Sequence, residues 1–443
     1  MGRHVVVVWL ALGGAAAQLG AQAPVRLSFA EAVSRAARTA PVVEIAGLQL
    51  NAADARVRQA RGALLPSLLL SGAWVNRSFN SKSLGIEFPT IPGQPPFPEL
   101  VPPFNNYDAR LTATQALFDF ASVARVRAAR AQAEGTGAER AVVVEGAAHN
   151  AAVAYLRAAR AAASAAARRA DSSIAAELVR LASAQKDAGV SASIDLTRAR
   201  TQLAVSEGLL IVAENQSDRA RLDLARALGL DPATPIALAD TLSPALAAVE
   251  VPADRAAAIA RGVEARPDLR AEIARGVAAR RTSWAIAAER LPRLNLEGDF
   301  GVNGPTIPRA IGTRQIALLV SIPILDGFRR EGRLAEQGAI AHVSEVRERD
   351  LRQEIAVEVE AALLDLRSVD AQQAIAAERM RLAEDELAQA RERFSAGVAG
   401  NVEVINAQSS LLQARDAEID ARFGAAVARV ALASAIGVAQ TLH

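Results

Sequence analysis

Hydrophobic and polar positions along this chain switch between two periods. In residues 107–118 the period is two: Tyr107, Ala109, Leu111, Ala113 and Leu117 fall on one side, and Asp108, Arg110, Thr112 and Thr114 on the other. Residues 294–303 behave alike, with Leu294, Leu296, Phe300 and Val302 set against Asn295, Glu297, Asp299 and Asn303. Residues 314–324 put Ile316, Leu318, Val320, Ile322 and Ile324 on one face, with Gln315 and Ser321 opposite. Residues 68–78 carry the weakest version, with Leu68, Leu70 and Trp74 together. Alternation of this kind predicts four strands, each with one apolar and one polar face.

Elsewhere the period is helical. Residues 121–186 and 329–395 contain no proline and are rich in Ala, Arg, Glu and Leu. Leu351, Ile355, Val359, Leu363 and Leu366 form a stripe at three- and four-residue steps, as a helix-packing seam requires. About 65 helical residues make a rod of about 100 Å, too long for a compact domain. Gly189 and Gly397 are placed to end these rods, and Ser193 and Asn401 to cap the helices that return, over 194–228 and 402–436. Each return covers only the far half of its rod, so residues 29–64 and 254–291 are expected to cover the near half.

The two halves of the chain are copies. Ala188-Gly189-Val190 matches Ala396-Gly397-Val398; Ile194-Asp195-Leu196 matches Val402-Glu403-Val404; Ala227-Leu228-Gly229-Leu230 matches Ala435-Ile436-Gly437-Val438. Upstream, Pro41 matches Pro267, Leu65-Pro66 matches Leu291-Pro292, and Asp119 matches Asp326. The offset changes between Pro66 and Asp119, where the first copy holds an insertion with Pro89, Pro92, Pro95, Pro96, Pro98, Pro102 and Pro103. So proline-dense a segment is read as an exposed loop. The organisation expected is a first repeat over 24–230, a Pro-rich linker over 231–253 and a second repeat over 254–443.

Composition narrows the class. Apolar residues are 51% of the chain but aromatics only 4%, so the apolar share is largely small side chains suited to close helix packing. With 50 basic and 48 acidic residues there is no electrostatic case for nucleic acid. There is no cysteine, hence no disulfide, thiolate metal site or lipid-modified Cys. His4, His149, His342 and His443 are scattered without ligand spacing. No nucleophile elbow, phosphate loop or dinucleotide fingerprint is present, and neither an enzyme nor a cofactor is expected. Arg3 and His4 precede an apolar run over residues 5–17 and small-residue sites at Ala15-Ala16-Ala17 and Ala21-Gln22-Ala23. This predicts a signal peptide over 1–23, and no later stretch is long enough for a transmembrane helix.

Apolar-polar strands near ten residues long fit an outer-membrane barrel, and equally a half-buried soluble sheet. Four strands cannot close a water-filled barrel, and lipid does not tolerate an unpaired edge. If the strands span a membrane, several chains must pool them, and three copies give about twelve. Trp74, Tyr107, Phe118, Phe120 and Phe328 lie near strand ends, where an aromatic girdle belongs, although isolated aromatics fit ordinary packing equally well.

Arg266-Pro267-Asp268-Leu269, Leu291-Pro292-Arg293-Leu294, Ile324-Leu325-Asp326-Gly327, and Phe394-Ser395-Ala396-Gly397 leading to Val404 together resemble the outer-membrane efflux protein family, TolC and its relatives, over essentially the whole mature chain. The fold expected is mixed and mainly α: long helical hairpins with four transmembrane strands per chain, pooled in a trimer into a twelve-stranded barrel. The resemblance implies an outer-membrane location with a large periplasmic tunnel, whose inner tip stays closed until a periplasmic adaptor (membrane fusion protein) and an inner-membrane pump engage. It implies a passive exit duct of a tripartite efflux pump or type I secretion system. A periplasmic adaptor with long coiled-coil hairpins is the alternative, although an adaptor usually carries one hairpin beside soluble β domains.

The tip turns are where function is expected. Asp195 and Glu403 hold equivalent repeat positions one turn into the return helices. Three copies of each would ring a pore mouth with up to six carboxylates, which attract cations; the alternative is that they only stabilise helix N-termini. By resemblance, Glu403 falls where relatives place a pore-lining acid, Asn406 where a second acid sits, and Ala399 where some carry a basic latch. Arg198, the repeat partner of Asn406, is the candidate substitute. The resemblance implies that Gly189, Val190, Gly397 and Val398 shape the surface on which an adaptor hairpin docks; the alternative is that the glycines are purely structural.

Overall fold

The computed structural model describes residues 24–85, 92–93, 95, 97–243, 246–247 and 254–442. The leader expected over 1–23 lies outside the described residues, as do parts of the Pro-dense loop and of the 231–253 linker.

A three-residue strand, β1 (Val25–Leu27), precedes α1 (Phe29–Thr39) and α2 (Pro41–Gly62). The entry to α1 is a reciprocal cap: Ser28 Oγ accepts from the Glu31 amide at 3.2 Å, and Glu31 Oε2 accepts from the Ser28 amide at 2.9 Å. Next come β2 (Ser67–Asn80), β3 (Leu100–Asp119), α3 (Phe120–Asp187) and α4 (Ser193–Ala227). After β4 (Ile236–Leu238) the order recurs as α5 (Arg255–Ala265), α6 (Pro267–Ala288), β5 (Arg293–Gly304), β6 (Ile311–Ser321), α7 (Arg329–Ser395) and α8 (Asn401–Ala435).

The rods α3 and α7 are 68 and 67 residues long, about 100 Å each at about 1.5 Å per residue. The helices beside α3, namely α1, α2 and α4, are 11, 22 and 35 residues long, which together equal its 68. Those beside α7 repeat the same three lengths. Each near-half helix expected as a single element is thus two. The break falls at Ala40-Pro41 and Arg266-Pro267, where the residue before proline is extended (ψ 140 and 125) and proline starts the next helix. Proline excludes its predecessor from the α region but suits a first helical turn. Across the far half the helices lie in the order α4, α3, α8, α7; across the near half the order is α2, α3, α6, α7. Ala147, Ala148, Ala151, Ala152 and Ala158 are buried along α3, so alanine seams let neighbouring backbones come close.

The four long strands form one antiparallel sheet in the order β2-β3-β5-β6, leaving β2 and β6 as edges without a partner in this chain. Three details differ from the sequence reading. The last strand ends at Ser321, not at residue 324, because Pro323 offers no amide to the ladder. Pro102 and Pro103, assigned to the loop, lie inside β3. They sit at a register shift opposite Arg77 and Phe79, on a stretch paired with β2 alone, where strand proline is tolerated. A second shift between Ala116 and Phe118 puts Phe118, rather than Leu117, in line with the apolar face.

Near the middle of the rods β1 and β4 pair in parallel. Against them packs a core of Phe29, Tyr155, Leu156, Leu224 and Leu228. The Tyr155 hydroxyl lies 3.0 Å from the Leu27 carbonyl and accepts from the Asp240 amide at 3.2 Å. Asp240 Oδ2 accepts from the Phe29 amide at 2.6 Å. Burial pushes the Tyr155 phenol up to about 12. Strands of three residues give no periodic signal, so this belt is invisible to pattern reading.

Candidate functional site

Two regions of the chain are built for more than packing: the faces of the sheet and the pair of hairpin tips.

The register puts Leu70, Leu111, Phe300 and Arg314 in one row across the sheet, with Leu68, Ala113, Gly298 and Ile316 in the next. On this face Leu70 is 77% and Ile316 81% exposed. The opposite face carries Ser71, Arg110, Asp299 and Thr313. There Arg110 pairs with Asp299, and with Asp108 at 3.3 Å, as side chains about three-quarters covered. Buried or half-buried charge persists only when paired, and the Arg110 trio meets that condition. An exposed apolar face with no partner in its own chain has to meet a non-aqueous phase or another protein.

At the other end, each rod turns through a glycine in the left-handed region, Gly189 at φ 76 and Gly397 at φ 70. Val190 and Val398 follow and are 74% and 72% exposed, so both tips show a bare valine. Ser193 and Asn401 do not cap the return helices. They are the first helical residues, and Ala192 and Gly400 hold the cap positions without a side-chain bond. Asn401 is fully buried, and its Nδ2 donates to the Asp195 carbonyl at 2.6 Å. It ties one tip to the other, a role that cap statistics do not reveal.

Asp195 is paired within its own helix, 3.7 Å from Arg198. Glu403 pairs with Arg393 at 3.1 Å. Asn406 is exposed. The structure therefore brings Asp195 close to Asn401 and gives Arg198 a partner inside the chain. In one chain, then, each tip acid is held by a cation from its own hairpin.

Midway along the far half, α3 and α8 are joined by four side chains that sequence reading did not single out. Arg168 donates to Asp171 at 3.0 Å and pairs with Asp416, and Arg415 pairs with Asp171. Arg168 and Asp171 are about nine-tenths covered. The only sequence trace is a three-residue Arg-to-Asp step, common on any helix. At the near half, Arg266 is held between Asp268 and Glu358. Burial alone would raise the Asp268 carboxyl, but the Arg266 guanidinium outweighs it and holds the group below its usual range. Among the described residues no cluster of His, Cys, Asp and Glu could hold a metal ion, and no helix is long and apolar enough to cross a membrane.

A family model described as "Outer membrane efflux protein" matches residues 32–230 and 259–438. No curated protein matches the sequence. Among solved structures, the chain is similar to CusC, at 19% identity, covering 92% of each chain with a TM-score of 0.75. It is similar to the CmeC outer membrane channel of Campylobacter jejuni, at 15% identity, 93% and 86% coverage and a TM-score of 0.76. It is also similar to the outer membrane protein VceC of Vibrio cholerae, at 19% identity, 92% and 96% coverage and a TM-score of 0.71. At these identities the likeness is one of fold.

Proposed function

The chain belongs to the outer membrane efflux protein family, and from that membership we propose that it is the outer-membrane channel component of a tripartite efflux pump or type I secretion system, acting as a homotrimer. The family is one of ducts, not of enzymes. The four-stranded sheet is the membrane part, one third of a twelve-stranded barrel. The rods are one third of a twelve-helix tunnel through the periplasm, and a periplasmic adaptor and an inner-membrane pump complete the path.

One observation carries this reading: a single chain is an open wall along its whole length. At one side lie the edge strand β2, the exposed Val42, Ile45 and Leu48 of α2, and the exposed Ile211 of α4. At the other lie the edge strand β6 and the exposed Ile340, Val343, Val357, Leu364, Ile375 and Leu382 of α7. The helix order puts α7 at one margin and α2 or α4 at the other, so the margins complement each other head to tail and close only as a ring. Edge strands in lipid demand the same closure.

The apolar face has the height a bilayer needs. From Leu294 to Gly304, β5 climbs ten residues, about 34 Å along the strand and about 26 Å along a barrel axis at the usual tilt. Phe118 stands at the lower row, and Trp74 and Tyr107 at the upper, which gives the girdles of an outer-membrane barrel.

In the trimer the tips meet near the axis, and Asp195 and Glu403 with their copies line the mouth. Arg198 and Arg393 hold those acids at rest. Gly189, Val190, Gly397 and Val398 form the surface an adaptor hairpin covers. The adaptor reading for the chain itself loses ground, because two hairpins and a sheet with a bare apolar face are what an adaptor does without. Native mass spectrometry of the detergent-extracted protein tests the assembly: three chains per particle are expected, and a monomer stable across detergents contradicts the proposal.

A further inference from the structure

Just below the apolar band, the first turns of α3 and the last turns of α6 enclose a groove of about 400 Å³ lined by Arg127, Arg130, Glu134, Val277 and Arg281. We propose that this groove binds the phosphate of an anionic phospholipid in the periplasmic leaflet, with the lipid chains lying on the aromatic collar above it. The proposal rests on the outer-membrane placement of the sheet.

Which way the groove faces follows from the strands. Phe118 belongs to the apolar face of β3, opposite Leu294, and its ring meets that of Phe120 edge-on, with centroids 4.8 Å apart. Phe120, the first residue of α3, therefore lies on the outside of the wall. Val123, Arg127, Arg130 and Glu134 follow Phe120 at three- and four-residue steps, so they share its outer face. On α6, Val277, Arg281 and Trp284 share one face by the same spacing. The Arg127 guanidinium lies 5.9 Å from the centre of the Trp284 ring, which places both helices' outward residues together. Phe120, Val123 and Trp284 are 42%, 39% and 47% exposed, an apolar collar between the barrel and the arginines.

Height fits as well. Arg127 and Arg130 follow Phe120 by seven and ten residues, about 10 and 15 Å down the helix. The headgroup layer extends about 5–7 Å beyond the hydrocarbon on each side. Side chains on a helix lean toward its N-terminus, and the N-terminus of α3 is the membrane end. Arg127 thus reaches up into the phosphate layer, and Arg130, one turn lower, to its periplasmic edge.

The charge is not spent inside the chain. Arg125, on the opposite face, pairs with Asp119 and Glu289; Arg290 pairs with Glu331, and Arg333 with Glu289. Arg127, Arg130 and Arg281 make no ion pair among the described residues. Three guanidinium groups against the single Glu134 leave the groove net positive, next to a layer of phosphates. Arg127 keeps one face on indole and presents its edge to a ligand, as interfacial arginines do.

The test is native mass spectrometry of the detergent-purified protein titrated with phosphatidylglycerol and, separately, with phosphatidylethanolamine of the same chains. The wild type should take up phosphatidylglycerol preferentially, more weakly as salt rises, and inorganic phosphate should not compete. Arg130→Gln and Arg281→Gln should each weaken uptake about fivefold, and the triple variant with Arg127→Gln about a hundredfold. Arg290→Gln, which alters a paired arginine, should leave uptake unchanged. Equal uptake of the two lipids, full uptake by both single variants, or displacement by inorganic phosphate would each overturn the proposal. Oligomer mass is read from the same spectra, so a failure of the trimer is distinguished from a failure of the groove.

Discussion

A charge placed on one face of β6 or on the other should separate membrane from lumen. Ile316 and Gln315 are neighbours, and their side chains point to opposite faces. Ile316 is 81% exposed and pairs with Gly298. That is four residues above the lower apolar row at Leu294 and six below the upper row at Gly304, which the proposed barrel would put near the bilayer midplane. Arginine on the lipid face at that depth costs about 2–4 kcal/mol per chain. The proposed trimer would carry three copies, so Ile316→Arg should cost about 6–12 kcal/mol of assembly, comparable to the whole stability of a typical domain. Gln315 pairs in register with Asp299, beside Arg110. Gln315→Arg adds a cation next to a carboxylate facing water and should cost under about 1 kcal/mol. The assay is refolding of each purified variant into bilayers, with the trimer fraction scored by its mobility before and after heating. Ile316→Arg should yield few trimers and Gln315→Arg wild-type levels. Equal losses, or the reverse order, would mean that the apolar face does not meet lipid.

At the tip, replacing Asp195 and Glu403 by Ala leaves Arg198 and Arg393 without partners, so single-channel reversal potentials should shift toward anions; unchanged selectivity would remove these acids from the pore. Tyr155→Phe strips a partner from the Leu27 carbonyl and should lower stability by about 1–3 kcal/mol. Since the folded phenol titrates near 12 and the free one near 10, the wild type should be fully stable on this account below about pH 10. It should lose that contribution as pH rises toward 12, and melting curves of the Phe variant should lack this limb. His149 is pushed below its ordinary value by burial, with the neighbouring Glu145 opposing. Protonation then favours the unfolded chain, so stability present above about pH 6.5 should fall as pH drops, and His149→Leu should flatten the melting profile on the acid side of about pH 6.5.

The long elements were legible because their signals are long. Proline-free, alanine-rich runs of some 65 residues admit no competing structure, and the observed rods span Phe120–Asp187 and Arg329–Ser395. Alternation marked all four strands of the sheet, but not their ends. Bulges at Arg77/Phe79 and Ala116/Phe118 shift parity by one residue, and periodicity carries no record of that. Pro41 and Pro267 were visible as repeat landmarks, yet their effect, dividing one helix into two, depends on how the preceding residue is held. The tip glycines were legible from chemistry, whereas Asn401 was not: its buried bond to Asp195 joins residues 206 apart. The Arg168–Asp171–Arg415–Asp416 link is likewise a product of tertiary approach between ordinary helical surfaces. Orientation was the deepest gap, since only the contact of Phe118 with Phe120 carries the apolar face of the sheet down onto the helices.

Single-channel recording of the purified protein in planar bilayers puts the proposed duct itself to the test. A trimer that pools twelve strands around a lumen carrying Asp108, Arg110, Glu297 and Asp299 should insert in discrete steps and conduct ions. Protein that incorporates into the bilayer without any conductance step, even when adaptor is added, would contradict the duct and return the sheet to an ordinary packing role.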